Sequence, residues 1–559
     1  MPSSDDEVEE LQPRAAGSHV VEVTGLPADG ERRAPESHGR MSAEVARAGT
    51  WGLSGRVVLL LANFGATPFT IRLLGPSAYG LWALIQTVLL WVNPAGLGMA
   101  TATTKYGAEY YALDDSAGEA TVVWTGLCLV FASTLPVVVA LAFCAHPLLV
   151  LLHVRGGALP AGAWALRVAG ATFVILQLAG VVNTAQQVRL RWRQYTLVYT
   201  LANLVGTVGV PIAIYILSGG VLAATTVGLL ASVSLLVGLS WDGLRAQPAL
   251  RHPRIDWVVV RQVLSYGGAL AVWGIAAVPL TTGERIFLSA NTSTTSLAYY
   301  SVAMTIVATL EILPEQLIAP LMPALTRLEA TGSHDEHGVL YQKSLSGLYL
   351  ALTPLTIIVA LVAKPFLVLW AGPAYGAHST LLLMILLGGM WANSLAWVPS
   401  SYLLSSGKTK VLAILQVAEV APYLGAAWVL TAKWGALGAA LVWSSRVVLD
   451  SIAHFALVRV YSGLPIAPLC ERRLRSMVAP LFLGLASLGV SSFTEGLLPR
   501  FAVAVLLLVT YGVAVWWLVL TVRERRGVAR LVGDMPGSRL VQSARMRVTQ
   551  TGRHYVSRR

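Results

Sequence analysis

The stretch from Gly65 to Tyr110 reads GATPFTIRLLGPSAYGLWALIQTVLLWVNPAGLGMATATTKYGAEY. It contains parts of two long apolar runs, and a break at Gly75-Pro76-Ser77-Ala78 separates the two runs. The second run ends at the dipeptide Asn93-Pro94. Because about 20 apolar residues suffice for a helix to cross a bilayer, the sequence predicts a transmembrane helical hairpin with a tight outer turn. Most later segments repeat this design.

The composition is typical of a chain that lies mostly in lipid. Of 559 residues, 55% are hydrophobic and only 12% are charged, and the mean hydropathy is +0.65. Soluble domains carry about 25% charged residues, so we predict an all-α integral membrane protein. The net charge of +12 does not indicate nucleic-acid binding, because the basic residues lie in short loops and in the tail, without interleaved aromatic residues.

Apolar segments recur along the chain after a polar start. Residues 1–50 contain no apolar signal-peptide core and are predicted to form a disordered cytoplasmic tail. From Trp51 onward the pattern predicts about fourteen transmembrane helices. Their expected bounds are 53–74, 78–100, 120–145, 162–184, 195–217, 221–241, 264–289, 297–323, 343–363, 379–404, 411–431, 435–460, 477–492 and 500–522.

The positive-inside rule gives these helices an orientation. Loops that follow even-numbered helices, through the twelfth, carry sixteen Lys and Arg residues, and loops that follow odd-numbered helices carry four. Both termini are therefore expected on the cytoplasmic side of the cell (inner) membrane. Residues 523–559 form a basic cytoplasmic tail with ten Arg residues. Contact with anionic lipid and a plain stop-transfer signal remain alternatives for this tail.

The second half of the chain echoes the first. Ala78–Ala83 (AYGLWA) matches Ala298–Ala303 (AYYSVA), and the neighbouring segments match at similar offsets. Six helices per repeat is an even number, so both halves enter the membrane from the same side, as in transporters with two lobes. We expect two six-helix lobes, at 51–255 and 256–461, followed by two C-terminal helices within 462–522.

Several motifs resemble the polysaccharide-biosynthesis flippases of the superfamily that also contains the multidrug MATE exporters and the lipid II flippase. They are Arg72–Trp82 (RLLGPSAYGLW), Gly96-Leu97-Gly98, Thr104-Lys105-Tyr106, Gly283–Ile286 (GERI) and Trp434–Ala440 (WGALGAA). The resemblance covers about residues 51–460. It implies a V-shaped pair of lobes around a cationic cavity. Through this cavity a lipid-linked oligosaccharide, usually on undecaprenyl pyrophosphate, would cross from the inner to the outer leaflet by alternating access. Polysaccharide polymerase and glycosyltransferases are the implied partners, and neither a cofactor nor an enzymatic activity is expected.

Ionisable residues inside the predicted helices form the candidate site, since charge within a bilayer is costly. Guanidinium groups suit a pyrophosphate through their forked geometry. The candidates for lining the cationic cavity are Arg56, Arg72, Arg285 and Arg446. The candidates for relaying a coupling proton or cation are Glu284, Glu311, Glu315, Glu419 and Asp450.

Structural roles compete with these assignments. Arg56, Arg72 and Arg285 can instead extend their guanidinium groups to an interface. Arg446 and Asp450 are four residues apart on one helix, so they can form a structural ion pair.

Prolines within the apolar runs are hinge candidates, since proline removes a helix hydrogen bond. The hinge candidates are Asn93, Pro94, Pro314 and Pro320. The two glutamates that flank Pro314 can alternatively bind backbone groups that this proline frees. His334–His337 (HDEH) contains potential metal ligands, but we expect a mobile, solvated loop there and predict no metal site.

Three other functions remain alternatives. A multidrug or cation antiporter of the same superfamily is expected to have acidic residues in its first helix, where this chain has Arg56 and Arg72. A membrane glycosyltransferase or polymerase is expected to need acidic outer loops or a large outer domain, whereas the first outer turn is Gly75–Ala78. A non-transporting scaffold is expected to tolerate the loss of Arg285 and Arg446.

Overall fold

The computed structural model describes residues 36–462 and 496–519, together with Ala486 and Arg525. Within these residues the chain is helical and contains no β-strand, which confirms the predicted all-α architecture. Numbered in chain order, the helices are α1 (Glu36–Val92), α2 (Met99–Ala112), α3 (Ser116–Leu151), α4 (Ala158–Val182), α5 (Thr184–Val188), α6 (Trp192–Leu217), α7 (Gly220–Ala246), α8 (Trp257–Asn291), α9 (Thr294–Ile318), α10 (Leu321–Ala330), α11 (His334–Trp370), α12 (Pro373–His378), α13 (Thr380–Ser405), α14 (Thr409–Ser462) and α15 (Leu497–Ala514).

Ten helical stretches of the described chain are long and apolar enough to cross a membrane. Helices satisfy their own backbone hydrogen bonds, as the bilayer core requires, and the chain is a multi-pass membrane protein. Two of the stretches, Ser54–Ala112 and Thr409–Ser462, are interrupted by a glycine with positive φ. Gly75 has a φ of 72° and Gly435 a φ of 55°, a conformation that glycine adopts without a steric penalty.

Helices occupy each of the first twelve predicted segments. The predicted segment 477–492 lies outside the described residues, apart from Ala486. The last segment, 500–522, is helical as far as it is described, with α15 followed by a π-helical turn at Val515–Val519. The total of fourteen spans remains a prediction.

Side-chain caps fix the beginnings of three helices. An Asp115 carboxylate oxygen accepts a hydrogen bond of 2.8 Å from the Gly118 amide at the start of α3. Asp256 caps α8 through the Val258 amide, and Ser293 caps α9 through the Ser296 amide. Each cap satisfies an amide that has no partner within the first helical turn.

The helices pack in two sets joined mainly through α1. In the first set, α4 and α6 both pack against α7, and α1 packs against α6. In the second set, α14 packs against both α8 and α13, and α13 also packs against α9 and α11. The sets meet chiefly where α1 contacts α9 and α8. The lobe boundaries near residue 255 remain a prediction.

The two sets are in close contact on the side of the bundle where Gly75 lies, which we call the Gly75 side. Ser289 Oγ of α8 donates a hydrogen bond of 3.1 Å to the carbonyl of Leu152. Trp370 Nε1 at the end of α11 donates one of 3.1 Å to the carbonyl of Phe64 in α1. The largest buried apolar cluster includes residues of both sets. These contacts close the bundle on the Gly75 side.

The expectation of a mobile, solvated loop at His334–His337 was wrong. These residues form the first turn of α11, and the His337 side chain is only 1% exposed. Its ring stacks on Tyr402 at 4.3 Å, and its Nδ1 lies 3.1 Å from a Glu329 carboxylate oxygen. The packing of His337 against Tyr402 therefore orders this polar run.

Candidate functional site

A cavity of about 1040 Å³ lies between the two sets of helices. Three long helices supply most of its wall: α1 and α6 from the first set, and α9 from the second, while α8 contributes Arg285. Its lining includes the polar and aromatic side chains of Arg56, Asn63, Thr67, Tyr79, Trp82, Gln86, Gln187, Trp192, Tyr195, Thr196, Tyr199, Thr200, Arg285, Ser301, Thr305, Thr309, Glu315 and Gln316.

The exposure of the lining residues shows where the cavity opens. Arg56 and Glu315 at one end have side chains that are 67% and 55% exposed. At the other end Tyr79 is buried in the cluster that closes the Gly75 side, and the Arg285 side chain is 22% exposed. The cavity is therefore open on the Arg56 side and closed on the Gly75 side.

A glycine brings α1 against α6 at the open end. A Cβ atom on Gly55 would lie 2.5 Å from Thr196 Cγ2 and 2.9 Å from Thr200 Oγ1. The absence of a side chain at Gly55 thus permits the close approach of the two helices. The next residue, Arg56, consequently reaches the cavity beside Tyr195.

An ion pair bridges the two sets of helices at the mouth of the cavity. Arg56 Nη1 of α1 lies 3.6 Å from Glu315 Oε1 of α9. Both side chains are more than half exposed, so water weakens their attraction. A charged ligand is thus able to replace one partner of the pair.

The closed end of the cavity contains an arginine that rests on a buried carboxylate. Glu284 is fully buried and accepts hydrogen bonds of 2.9 Å from the Tyr300 hydroxyl and 2.5 Å from the Tyr423 hydroxyl. Arg285 Nε lies 3.5 Å from Glu284 Oε1 but forms no hydrogen bond. Arg285 lines the cavity, so its guanidinium has donors that remain available to an anion.

The other two candidate arginines do not line this cavity. Arg72 lies on the Gly75 side, where its Nη2 donates a hydrogen bond to the carbonyl of Leu369. Arg446 lies within the second set of helices, where its Nη1 donates a hydrogen bond of 2.9 Å to the carbonyl of Leu280. The prediction that both residues line the cavity is therefore not met in this conformation, because each occupies another face of its helix.

A charged cluster surrounds Arg446. Arg446 Nε lies 3.9 Å from Glu419 Oε2, and Asp450 pairs with His454 at 3.2 Å. Glu419 also lies close to Asp450. Arg446 also lies 5.7 Å above the Tyr423 ring, and Tyr423 connects this cluster to Glu284.

The remaining candidates lie at helix bends or beside them. Asn93 and Pro94 begin a short 3-10 turn at Asn93–Gly96 that separates α1 from α2. Gln177 Nε2 of α4 donates a hydrogen bond of 3.0 Å to Asn93 Oδ1. Pro314 is buried within α9, and Glu311 on the same helix accepts a hydrogen bond of 3.2 Å from Asn393 Nδ2.

The neutral and aromatic lining of the cavity was not predicted from the sequence. Trp192, Tyr195 and Tyr199 of α6 all face it, and their spacing of three and four residues was the available signal. Asn63 and Gln86 face both this cavity and a smaller one of about 370 Å³ among the helices of the first set.

Comparison with known proteins agrees with this architecture. Residues 70–380, more than half of the chain, match the family model described as polysaccharide biosynthesis protein. A Shigella flexneri protein that is assigned as an O-antigen transporter is 28% identical over 244 residues. That match covers 44% of this chain and 57% of the relative, so it spans little more than half of the relative's length.

Solved structures share the fold. The lipid II flippase MurJ, in an inward closed conformation, matches with a TM-score of 0.62 and 12% identity, over 84% of this chain and 99% of the other. An inward-facing multidrug resistance MATE family transporter of the MOP superfamily matches with a TM-score of 0.60 and 16% identity, over 72% of this chain and 94% of the other. At such low identity these likenesses show the arrangement of helices alone.

Proposed function

Since this chain belongs to the family of polysaccharide biosynthesis proteins, we propose that it is a flippase that moves a lipid-linked oligosaccharide from the inner to the outer leaflet. The observation that carries the proposal is the large cavity between the two sets of helices, open on one side and closed on the other. The assigned O-antigen transport of the Shigella flexneri relative and the lipid II flippase fold support it.

The size and lining of the cavity suit a saccharide head group. Small-molecule sites occupy about 300–1,000 Å³, and the volume here is about 1040 Å³. Most of the polar lining is uncharged hydroxyl and amide groups, which both donate and accept hydrogen bonds. The cavity can therefore replace the water shell of several sugar hydroxyls while the lipid tail stays in the bilayer.

Arg285 and Arg56 supply the groups that bind the pyrophosphate of an undecaprenyl carrier in this proposal. A guanidinium forms two parallel hydrogen bonds with a phosphate. The buried Glu284 carboxylate lies beside the Arg285 guanidinium and stabilises its position. Arg285 is therefore already placed for this contact. Arg56 exchanges the exposed Glu315 carboxylate for the phosphate as the head group enters the mouth, before the pyrophosphate reaches Arg285.

Transport follows by alternating access. The protein lies in the inner membrane with its Arg56 side toward the cytoplasm, in agreement with the excess of Lys and Arg on that side of the predicted topology. Both termini lie on the cytoplasmic side. Ligand binding draws α1 and α9 together on the Arg56 side, and the contacts on the Gly75 side separate. The energy comes from an ion gradient or from consumption of the product outside, where polysaccharide polymerase and glycosyltransferases are the expected partners.

The proposal is tested by reconstitution in liposomes. A fluorescent undecaprenyl pyrophosphate trisaccharide is placed in both leaflets, and a membrane-impermeant reductant bleaches the label that reaches the outer leaflet. We expect faster bleaching with the protein than in empty liposomes, and loss of the acceleration in Arg285→Ala. Arg245→Ala serves as the matched control, because Arg245 stacks on Trp241 away from the cavity.

Two results would contradict the proposal. One is the absence of acceleration by correctly inserted protein with several neutral glycans. The other is export of cationic drugs with the same dependence on Arg285, which would indicate a multidrug exporter. The cavity argues against cation export, since Glu315 is the single acidic residue among its described lining residues.

A further inference from the structure

One wall of the cavity consists of three aromatic side chains on α6. Trp192 and Tyr195 have ring centroids 5.9 Å apart at an interplanar angle of 83°, and Tyr195 and Tyr199 are 5.5 Å apart at 32°. All three line the cavity, because residues three and four apart share one face of a helix. We call these residues the aromatic ladder.

The aromatic ladder differs from an interfacial aromatic belt. Belt residues lie at the level of the lipid headgroups and contact lipid. The ladder instead faces the same cavity as Ala308 and Thr309 of α9. Tyr215, at the other end of α6, is 77% exposed and lies outside the cavity. The ladder is therefore placed to contact a ligand in the cavity rather than lipid.

The surroundings of the ladder specify the chemistry of that ligand. Gln187, Thr196 and Thr200 line the cavity beside the rings and offer neutral donors and acceptors. A pyranose has apolar C–H faces and a rim of hydroxyl groups. Aromatic faces carry a partial negative charge that attracts such C–H groups, and amides and hydroxyls bind the rim. A lipid tail uses only the first feature and an ion only the second.

We propose that Trp192, Tyr195 and Tyr199 form the subsite that holds the sugar rings of the transported head group, an inference that rests on the proposed function. Tyr195 lies beside Arg56 at the mouth, whereas Arg285 lies near Tyr79 at the closed end. The head group thus lies along the cavity, with its pyrophosphate toward Arg285 and its sugars along the ladder toward the Arg56 side.

The test separates binding of sugar from binding of pyrophosphate. The full-length protein in nanodiscs is titrated with fluorescent undecaprenyl pyrophosphate that carries no sugar, one N-acetylhexosamine or three neutral sugars. We expect the wild-type protein to bind the sugar-bearing probes more tightly than the bare lipid. Each of Trp192→Ala, Tyr195→Ala and Tyr199→Ala should weaken binding of the sugar-bearing probes about threefold to tenfold, as expected for one aromatic contact. Binding of the bare lipid should not change.

Matched variants remove the ambiguity of misfolding. Tyr195→Phe keeps the ring and should retain most of the affinity for the sugar-bearing probes, while Tyr215→Ala should match the wild type. The inference is overturned if the ladder variants bind all three probes like the wild type, or if they lose affinity for the bare lipid to the same extent. It is also overturned if the wild type shows no preference for sugar-bearing probes. If the wild type binds none of the lipids above empty nanodiscs, the proposed function itself fails.

Discussion

Gly80 of α1 and Thr294 of α9 approach each other so closely that a Cβ atom on Gly80 would lie 1.7 Å from the carbonyl oxygen of Thr294. Next to this contact, Ser77 Oγ and Thr294 Oγ1 are 3.4 Å apart. The obstacle that a larger residue would meet is backbone, which cannot rotate away as a side chain can. Gly80 is therefore a requirement for closure of the Gly75 side.

We predict that Gly80→Val opens the Gly75 side. Overpacking of a close contact costs about 1–3 kcal/mol, which corresponds to a shift of about 5- to 150-fold in the ratio of closed to open molecules. The measurement is labelling of Ser77→Cys by an impermeant maleimide, in a background without native cysteines. Labelling should be faster with valine at position 80.

The control for this prediction is Gly65→Ala on the same helix, since nothing lies within 4 Å of a Cβ atom there. This variant should label at the wild-type rate. Equal labelling of the two glycine variants would mean that the contact between Gly80 and Thr294 does not hold the Gly75 side closed.

Glu284→Gln should disturb both the fold and the cavity. The change removes the charge that accepts hydrogen bonds from Tyr300 and Tyr423 and that holds Arg285. Hydrogen bonds to a charged group contribute about 1.5–3 kcal/mol each, so the unfolding temperature in detergent should fall clearly. Glu109→Gln is the control, because Glu109 forms only an exposed pair with Lys105. An unchanged unfolding temperature for Glu284→Gln would contradict this account.

The pair between Arg56 and Glu315 should matter for transport more than for stability. Exposed ion pairs contribute less than about 1 kcal/mol, so Arg56→Glu and Glu315→Arg should each leave the unfolding temperature nearly unchanged. Each reversal places like charges together at the mouth and should slow lipid transport. The double reversal should recover part of the rate, and this coupling should shrink at high salt. Additive effects of the two reversals would show that the pair does not act as a unit.

Much of the fold could be predicted from the sequence. Helices occupy the first twelve apolar segments, and the break predicted at Gly75–Ala78 corresponds to a kink at Gly75, because length and glycine geometry are local properties. Arg56 and Arg285 were identified as cavity candidates because charge in an apolar helix stands out. Both line the cavity of the structure.

The faces of the helices could not be predicted in the same way. A membrane helix is apolar toward its neighbours and toward lipid, so its pattern does not tell the two directions apart. Arg72 and Arg446 consequently fell outside the cavity, and the aromatic ladder was missed. The buried pair of Glu119 and Arg189, 2.6 Å apart, joins residues that are 70 positions apart in sequence, and no local pattern records such a contact.

Arg446→Ala should destabilise the protein without a selective loss of lipid binding. Arg446 lies outside the cavity, where it pairs with Glu419 and donates a hydrogen bond to the carbonyl of Leu280. Its removal leaves the largely buried Glu419 carboxyl without its cation. Breaking a buried pair costs about 3–5 kcal/mol.

Arg285→Ala should show the opposite pattern, with weaker binding of undecaprenyl pyrophosphate and a smaller change in unfolding temperature. Both variants are measured by thermal unfolding and by titration of the bare lipid in nanodiscs, with Arg446→Lys as the variant that keeps the charge. If Arg446→Ala unfolds like the wild type but binds the lipid poorly, Arg446 belongs to the binding site in another conformation of the transport cycle.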